Sequence, residues 1–331
     1  LKVIGVPMFS LNDLNKAAQY IYKFMPPTPQ YKWPLLYEKA GLEVWVKHEN
    51  HTPTGAFKIR GSITFMDWLM RSHPDVKGVV TATRGNHGQS QSMVASAHGL
   101  KAKIIVPHGN SIEKNNAMRA FGGDVIEFGQ NFDDARLEAA RIAEFEKLFM
   151  VPPFHQEIIR GVSSYALELF SNTPELDVVY VPIGCGSGIC SLITVRDLLA
   201  LKTEIVGVVS TEAEAAKISF ESGKLIASST AKTFADGMAV TTPVKEAFEV
   251  YLKGASRIVS VSEYEVAKAM RLIFSTTHNV AEGAGAAALA AAIQERESNI
   301  KNKNVAVILT GGNVDTSIYA TVLQGETPVI N

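Results

Sequence analysis

Of all the side chains in this 331-residue sequence, Lys58 is the best placed for covalent chemistry. A strand-like run, Glu43 to Lys47, breaks into a polar loop holding Pro53 and Gly55. Apolar residues at helical spacing follow: Phe57, Ile63, Phe65, Met66 and Leu69. Lys58 therefore falls in the first turn of a helix, beside unpaired backbone N–H groups. The positive helix end and loss of water both disfavour an ammonium there, and an amine kept neutral is a nucleophile. One lysine among 32 Lys and Arg carries no such role by itself, so its companions decide.

Three loops supply them. Gly184-Cys185-Gly186-Ser187-Gly188 follows an apolar strand and opens a helix, so backbone N–H groups can converge on a phosphate dianion. A tight strand-to-helix turn that needs glycine explains the same residues equally well. No Gly-Lys-Ser/Thr follows, and the glycine spacing differs from a dinucleotide loop. Thr83-Arg84-Gly85-Asn86-His87 also lies between strand and helix, offering N–H groups to a carboxylate, or simply an N-cap turn. Thr310-Gly311-Gly312-Asn313 ends the last strand; a turn explains its glycines but not its hydroxyl. Between these lie Phe234 to Val240, with Gly237, and Ala281 to Ala286, where Glu282 is either near a substrate or a helix cap.

In this order the segments resemble the pyridoxal phosphate (PLP) dependent threonine and serine dehydratase family, of fold type II and similar to the tryptophan synthase β chain. His48 to Ser62 is similar to its lysine segment, 184–188 to its phosphate cup, 83–87 to its Ser-x-Gly-Asn-His loop and 310–315 to its Ser-Gly-Gly-Asn run. The resemblance implies that Lys58 carries PLP as an imine and then removes the Cα proton. It implies that Phe57, Asn86, Gly184, Cys185, Gly186, Ser187, Gly188, Gly237 and Thr310 bind the cofactor. Thr83, Arg84, Gly85, Asn86 and His87 would bind the substrate. The implied reaction is α,β-elimination of water from a β-hydroxy amino acid, giving a 2-oxo acid and ammonia.

Departures from the family refine this. A hydroxyl at Thr310, rather than a carboxylate, makes a weaker electron sink and favours elimination over transamination. Racemases of the fold place an acid opposite the lysine; Arg84 cannot serve as one at neutral pH, so racemisation is the alternative it disfavours. Arg84, Gln30, Trp33 and Val162 all depart near the expected pocket, which points beyond threonine and serine to a phenylserine dehydratase-like member or to 3-hydroxyaspartate. The segment in which relatives bind a divalent cation has Lys217 and Ile218 where a second carboxylate is needed, so no metal is expected.

Short apolar strands alternate with helical stretches from Lys77 onward, the pattern of an α/β protein with open, mostly parallel twisted sheets flanked by helices. The resemblance implies a large cofactor-binding domain from residues 1–74 and 157–331, with a small domain, 75–156, inserted. The net charge of −1 and the absence of basic runs exclude an electrostatic attraction to nucleic acid or anionic membrane. The longest apolar stretch, Ala284 to Ile293, is too short to span a bilayer. Two cysteines, Cys185 and Cys190, lack redox or zinc spacing and suit a reducing cytoplasm. No leader-like start and no regulatory extension past Asn331 are seen, so a cytoplasmic catabolic enzyme is expected, acting on small molecules as a homodimer.

Overall fold

The computed structural model describes residues 8–330. One sheet of six strands holds β1 (Gln30–Lys32), β2 (Val44–His48), β7 (Val178–Pro182), β8 (Glu204–Ser210), β9 (Arg257–Val261) and β10 (Val305–Leu309), in the order β1-β2-β10-β7-β8-β9. A four-stranded sheet runs β5-β4-β3-β6, from β3 (Gly78–Ala82), β4 (Lys101–Val106), β5 (Asp124–Glu127) and β6 (Phe149–Met150). Every pairing is parallel except β1 with β2. The central strands β7 and β10 are buried along their whole length, which is why they read as continuous apolar runs instead of alternating.

The helices are α1 (Leu11–Ile21), α2 (Pro34–Ala40), α3 (Lys58–Ser72), α4 (Asn86–Ala97), α5 (Ile112–Ala120), α6 (Phe132–Glu146) and α7 (Gln156–Ser171), followed by α8 (Ser187–Leu198), α9 (Ala215–Ser222), α10 (Lys245–Gly254), α11 (Glu263–Thr277), α12 (Gly283–Glu295) and α13 (Thr316–Leu323). Helices α1 and α11 begin with complete capping boxes, Ser10 with Asp13 and Ser262 with Glu265. The register of β2 on β10 pairs Val44 with Val305 and His48 with Leu309. That pairing brings Lys58 and Thr310, distant in sequence, to the same end of the sheet.

Helix α7 is not evident from the sequence, because Gly161-Val162-Ser163-Ser164 is a poor helical run. Tertiary packing overrides that preference. A side chain at Gly161 would strike the Arg60 backbone carbonyl, and one at Gly61 would lie 2.8 Å from Ile158, so α3 and α7 cross in close contact through glycine. Under this crossing four charged side chains are buried together. Arg60 donates to Glu49 at 2.7 and 3.0 Å and to Glu168 at 2.7 and 2.9 Å, while Lys47 donates to Glu168 at 2.6 Å. Thr28 and Tyr22 complete the shell through their hydroxyls.

Beside it, His48 is fully buried and accepts a hydrogen bond from the Trp33 indole at 3.0 Å. Desolvation, with a smaller push from His51, lowers its pKa from 6.5 to about 4. The unfolded chain binds a proton below about 6.5 and the folded one only below about 4, so stability is lost as pH is lowered from about 6.5 to about 4, by about 3 kcal/mol in all. His48→Gln keeps an acceptor for Trp33 and should flatten that part of the acid unfolding curve, measured by urea denaturation at stepped pH.

Candidate active site

Lys58 opens α3, and its position is set by the turn before it. The Thr52 hydroxyl accepts from the Ala56 N–H at 2.9 Å and donates to the Ala56 carbonyl at 2.8 Å. Gly55 takes φ +68°, and a side chain there would lie 2.5 Å from the Asn313 amide oxygen. The Phe57 N–H donates to the Thr310 carbonyl at 3.0 Å and Ala56 bridges to Gly311, which fixes the helix start to the end of β10. The Lys58 amine then reaches Ser187 Oγ at 3.3 Å and stands 4.9 Å from the Phe57 ring centre. Although the residue opens onto the cleft, desolvation lowers its pKa, with Cys185 and Glu282 pulling the other way.

The glycine loop wraps the other side. Gly186 takes φ +93° and caps α8 without a side-chain hydrogen bond, so the first N–H groups of α8 point into the cleft unpaired. A side chain at Gly184 would strike the Gly237 carbonyl, which places Gly237 over the same loop. The Tyr165 hydroxyl donates to the Gly188 carbonyl at 2.9 Å from α7 and meets the Phe57 ring edge-on. Thr310 is buried, and its hydroxyl has no partner among the described residues.

Asn86 heads α4 and bridges the sheets: its amide N–H donates to Glu282 Oε1 at 2.7 Å, and its oxygen accepts from Asn313 at 2.8 Å. Thr83 orders the loop by accepting from the Gly85 N–H at 3.1 Å. His87 leaves Nε2 buried and unpaired, its pKa lowered to about 3 by desolvation and then by Lys58. Arg84 is exposed at the loop rim. The Lys58, 83–87, 184–188, Gly237 and Thr310 segments thus border one cleft.

Three other residues expected near the pocket make contacts of their own. Gln30 donates to the Glu168 and Leu169 carbonyls at 3.4 and 3.3 Å, Trp33 is spent on His48, and Val162 is fully buried against Gly61. Cys185 and Cys190 are both unpaired thiols, the second buried.

Lys114 is a member of the site that the motifs do not reveal. From α5 it runs under Gly85, where a side chain would lie 2.7 Å from its Cδ, and bonds Asp236 at 2.5 Å. Although desolvation opposes it, Asp236 and then Glu282 raise its pKa. The same turn of α5 holds Ser111 to Asp315 and Glu113 to the Thr316 N–H. Its sequence signal is a basic residue in an otherwise polar helix, which distinguishes nothing. Among the described residues, no group of three or more His, Cys, Asp or Glu could hold a metal.

A family model described as "Pyridoxal-phosphate dependent enzyme" matches residues 21–311. The chain is 33% identical over 288 residues to the L-threonine ammonia-lyase of Geobacter sulfurreducens, covering 87% of this chain and 71% of that protein. It is 31% identical over 307 residues to the biosynthetic L-threonine dehydratase of Haemophilus influenzae, covering 92% of this chain but only 60% of that protein. Among solved structures, the processed threonine deaminase isoform 2 of Solanum lycopersicum superposes with a TM-score of 0.87 at 28% identity, covering 97% and 96% of the two chains. A pyridoxal 5'-phosphate-dependent aspartate racemase gives 0.89 at 26%, covering 95% and 98%.

Proposed function

The chain belongs to the pyridoxal-phosphate-dependent enzyme family, and from that membership and the cleft around Lys58 we propose that it is a dehydratase, releasing water and then ammonia from L-threonine or L-serine. The observation that carries the reading is the Lys58 amine, desolvated and 3.3 Å from the Ser187 hydroxyl inside the glycine loop.

The residues present fit the cofactor. The N–H groups at the start of α8, which lack a side-chain cap, in a loop whose glycines leave no room for side chains against Gly237 and Ala247, suit a phosphate. The unpartnered Thr310 hydroxyl suits a ring nitrogen, and Asn86 keeps a second amide N–H for a ring oxygen. When bound, pyridoxal phosphate supplies an acceptor for the electron pair left at a substrate's Cα. The chain does the rest: Lys58, its pKa lowered by burial, takes the Cα proton, and the N–H groups of residues 83–87 orient the substrate carboxylate. Within this reading, residues 1–74 and 157–331 form the cofactor-binding unit and 75–156 the inserted one.

Threonine and serine are preferred to a phenyl-bearing substrate because the relatives that carry the family membership are threonine ammonia-lyases and dehydratases. Racemisation, the activity in the name of one structural neighbour, is disfavoured because position 84 carries an arginine, exposed at the loop rim, in place of the small hydroxyl side chain that activity needs. A homodimer is included on the strength of exposed apolar residues, Tyr31 on the edge strand β1 and Leu35 and Tyr37 on the following α2, and a reducing cytoplasmic setting on the two unpaired thiols. No helix of the described residues is long and apolar enough to cross a membrane.

Purified protein should release ammonia and 2-oxo acid in equal amounts from threonine and serine, and at least about tenfold more slowly from phenylserine and 3-hydroxyaspartate. Loss of optical rotation without ammonia would replace this reading by the racemase one.

A further inference from the structure

We propose that Lys114 is the positioning residue that lets the 83–87 loop accept an amino-acid carboxylate, by bearing the loop on its stem and by setting one fixed positive charge beneath it; this rests on the dehydratase reading above. The loop lies on one face of α5. A side chain at Gly85 would begin 2.7 Å from the Lys114 Cδ, and one at Gly88 would strike the sulfur of Met118, one helical turn further on. The two glycines therefore bring the backbone down onto α5. Helix α4 starts directly above Lys114, and its N-cap, Gly85, gives the first N–H groups no side-chain partner. Bare N–H groups at a helix start attract an anion.

The surroundings would otherwise repel one. Asp236, Glu282 and Asp315 all act on this point, and Lys114 is the cation set among them, its side chain 9% exposed and bonded to Asp236 at 2.5 Å. Burial alone would drive its proton off, but Asp236 and then Glu282 outweigh burial and keep the amine charged. The other basic groups at the loop do not supply such a charge. Burial depresses the Lys58 amine, His87 is neutral, and Arg84 is exposed, where water and salt screen it. A charge out of water acts more strongly on its neighbours. Its place is also fixed, because α5 is pinned across the cleft: the Ser111 hydroxyl donates to Asp315, and Glu113 accepts from the Thr316 N–H at 2.9 Å.

L-Alanine and L-alaninamide test this, since they differ only in a carboxylate against a neutral amide of the same shape and neither has a β-substituent to lose. Titrated calorimetrically into the cofactor-loaded enzyme, L-alanine should bind Lys114→Met about tenfold or more weakly than wild type, and L-alaninamide within about threefold of it. Methionine keeps an unbranched stem under Gly85 and removes only the charge. Asp236→Asn keeps a partner for the amine while removing an anion, so it should bind L-alanine as tightly as wild type or more tightly. A mere clip between α5 and Asp236 predicts the same loss from either end. Equal weakening of both ligands in Lys114→Met, or an equal loss of L-alanine binding in Asp236→Asn, would therefore overturn the proposal, as would a loss that follows Arg84→Met instead.

The wild type gives a check that needs no variant. Its preference for L-alanine over L-alaninamide should persist as salt is raised from about 0.05 to about 0.5 M, as a buried charge requires. No preference, or one erased by salt, overturns the proposal. A wild type that binds L-alanine yet releases no ammonia from threonine or serine defeats the dehydratase reading instead, and the comparison of the two ligands still decides the role of Lys114.

Discussion

Lys58→Ala is expected to lose ammonia release from threonine by on the order of 10⁴-fold or more, together with the visible absorbance of protein-bound cofactor. The size follows from the double use of one amine, as attachment point and as base, with no second amine free to take over. Lys114, the other lysine in the cleft, is tied to Asp236 and held protonated. Lys58→Arg should be as inactive as alanine, because a guanidinium keeps its charge where the site requires a neutral nitrogen. Measuring both variants separates a need for positive charge from a need for a nucleophile. An arginine variant with substantial activity would contradict the assignment.

The largest loss of stability is expected at Arg60, two residues along the same helix. Arg60→Leu removes the group that joins Glu49 to Glu168 and leaves two buried carboxylates with one ammonium, Lys47, between them. Removing one member of a buried ionic cluster costs about 3–5 kcal/mol, since the orphaned charge has neither water nor partner. Burial opposes the Arg60 charge, but Glu49 and Glu168 more than offset it and raise its pKa further. Urea unfolding monitored by fluorescence would measure the loss as a lower midpoint at unchanged slope. Replacing Lys47, Glu49, Arg60 and Glu168 together by apolar residues of similar volume should be less harmful than Arg60→Leu alone, because no charge of the cluster is then stranded.

The sequence made much of the frame legible. The strand before the lysine loop, expected over Glu43 to Lys47, runs from Val44 to His48, and the helix expected to carry Lys58 in its first turn runs from Lys58 to Ser72. Those elements are governed by local period, which a linear pattern records. Helix α7 is governed by contact instead: its Gly161 and serines weaken it alone and are explained only by the approach of α3. The partners of Arg60 were hidden for the same reason, since Glu168 lies on that unrecognised helix. The glycine loops are local features and could be read directly. Lys114 could not, because its importance comes from lying under Gly85 and against Asp236, neither of which is near it in sequence.

The pairing of β2 with β10 has a consequence for biosynthesis. Residues 44–48 rest on residues 305–309, and the turn that presents Lys58 is held by the Thr310 carbonyl and by Asn313. A nascent chain on the ribosome exposes its reactive amine some 250 residues before these supports emerge (310 − 58 = 252). If Lys58 carries the coenzyme as proposed, vitamin loading comes among the last events in the making of each molecule, and translation that stalls before the final strand should yield a polypeptide unable to retain it.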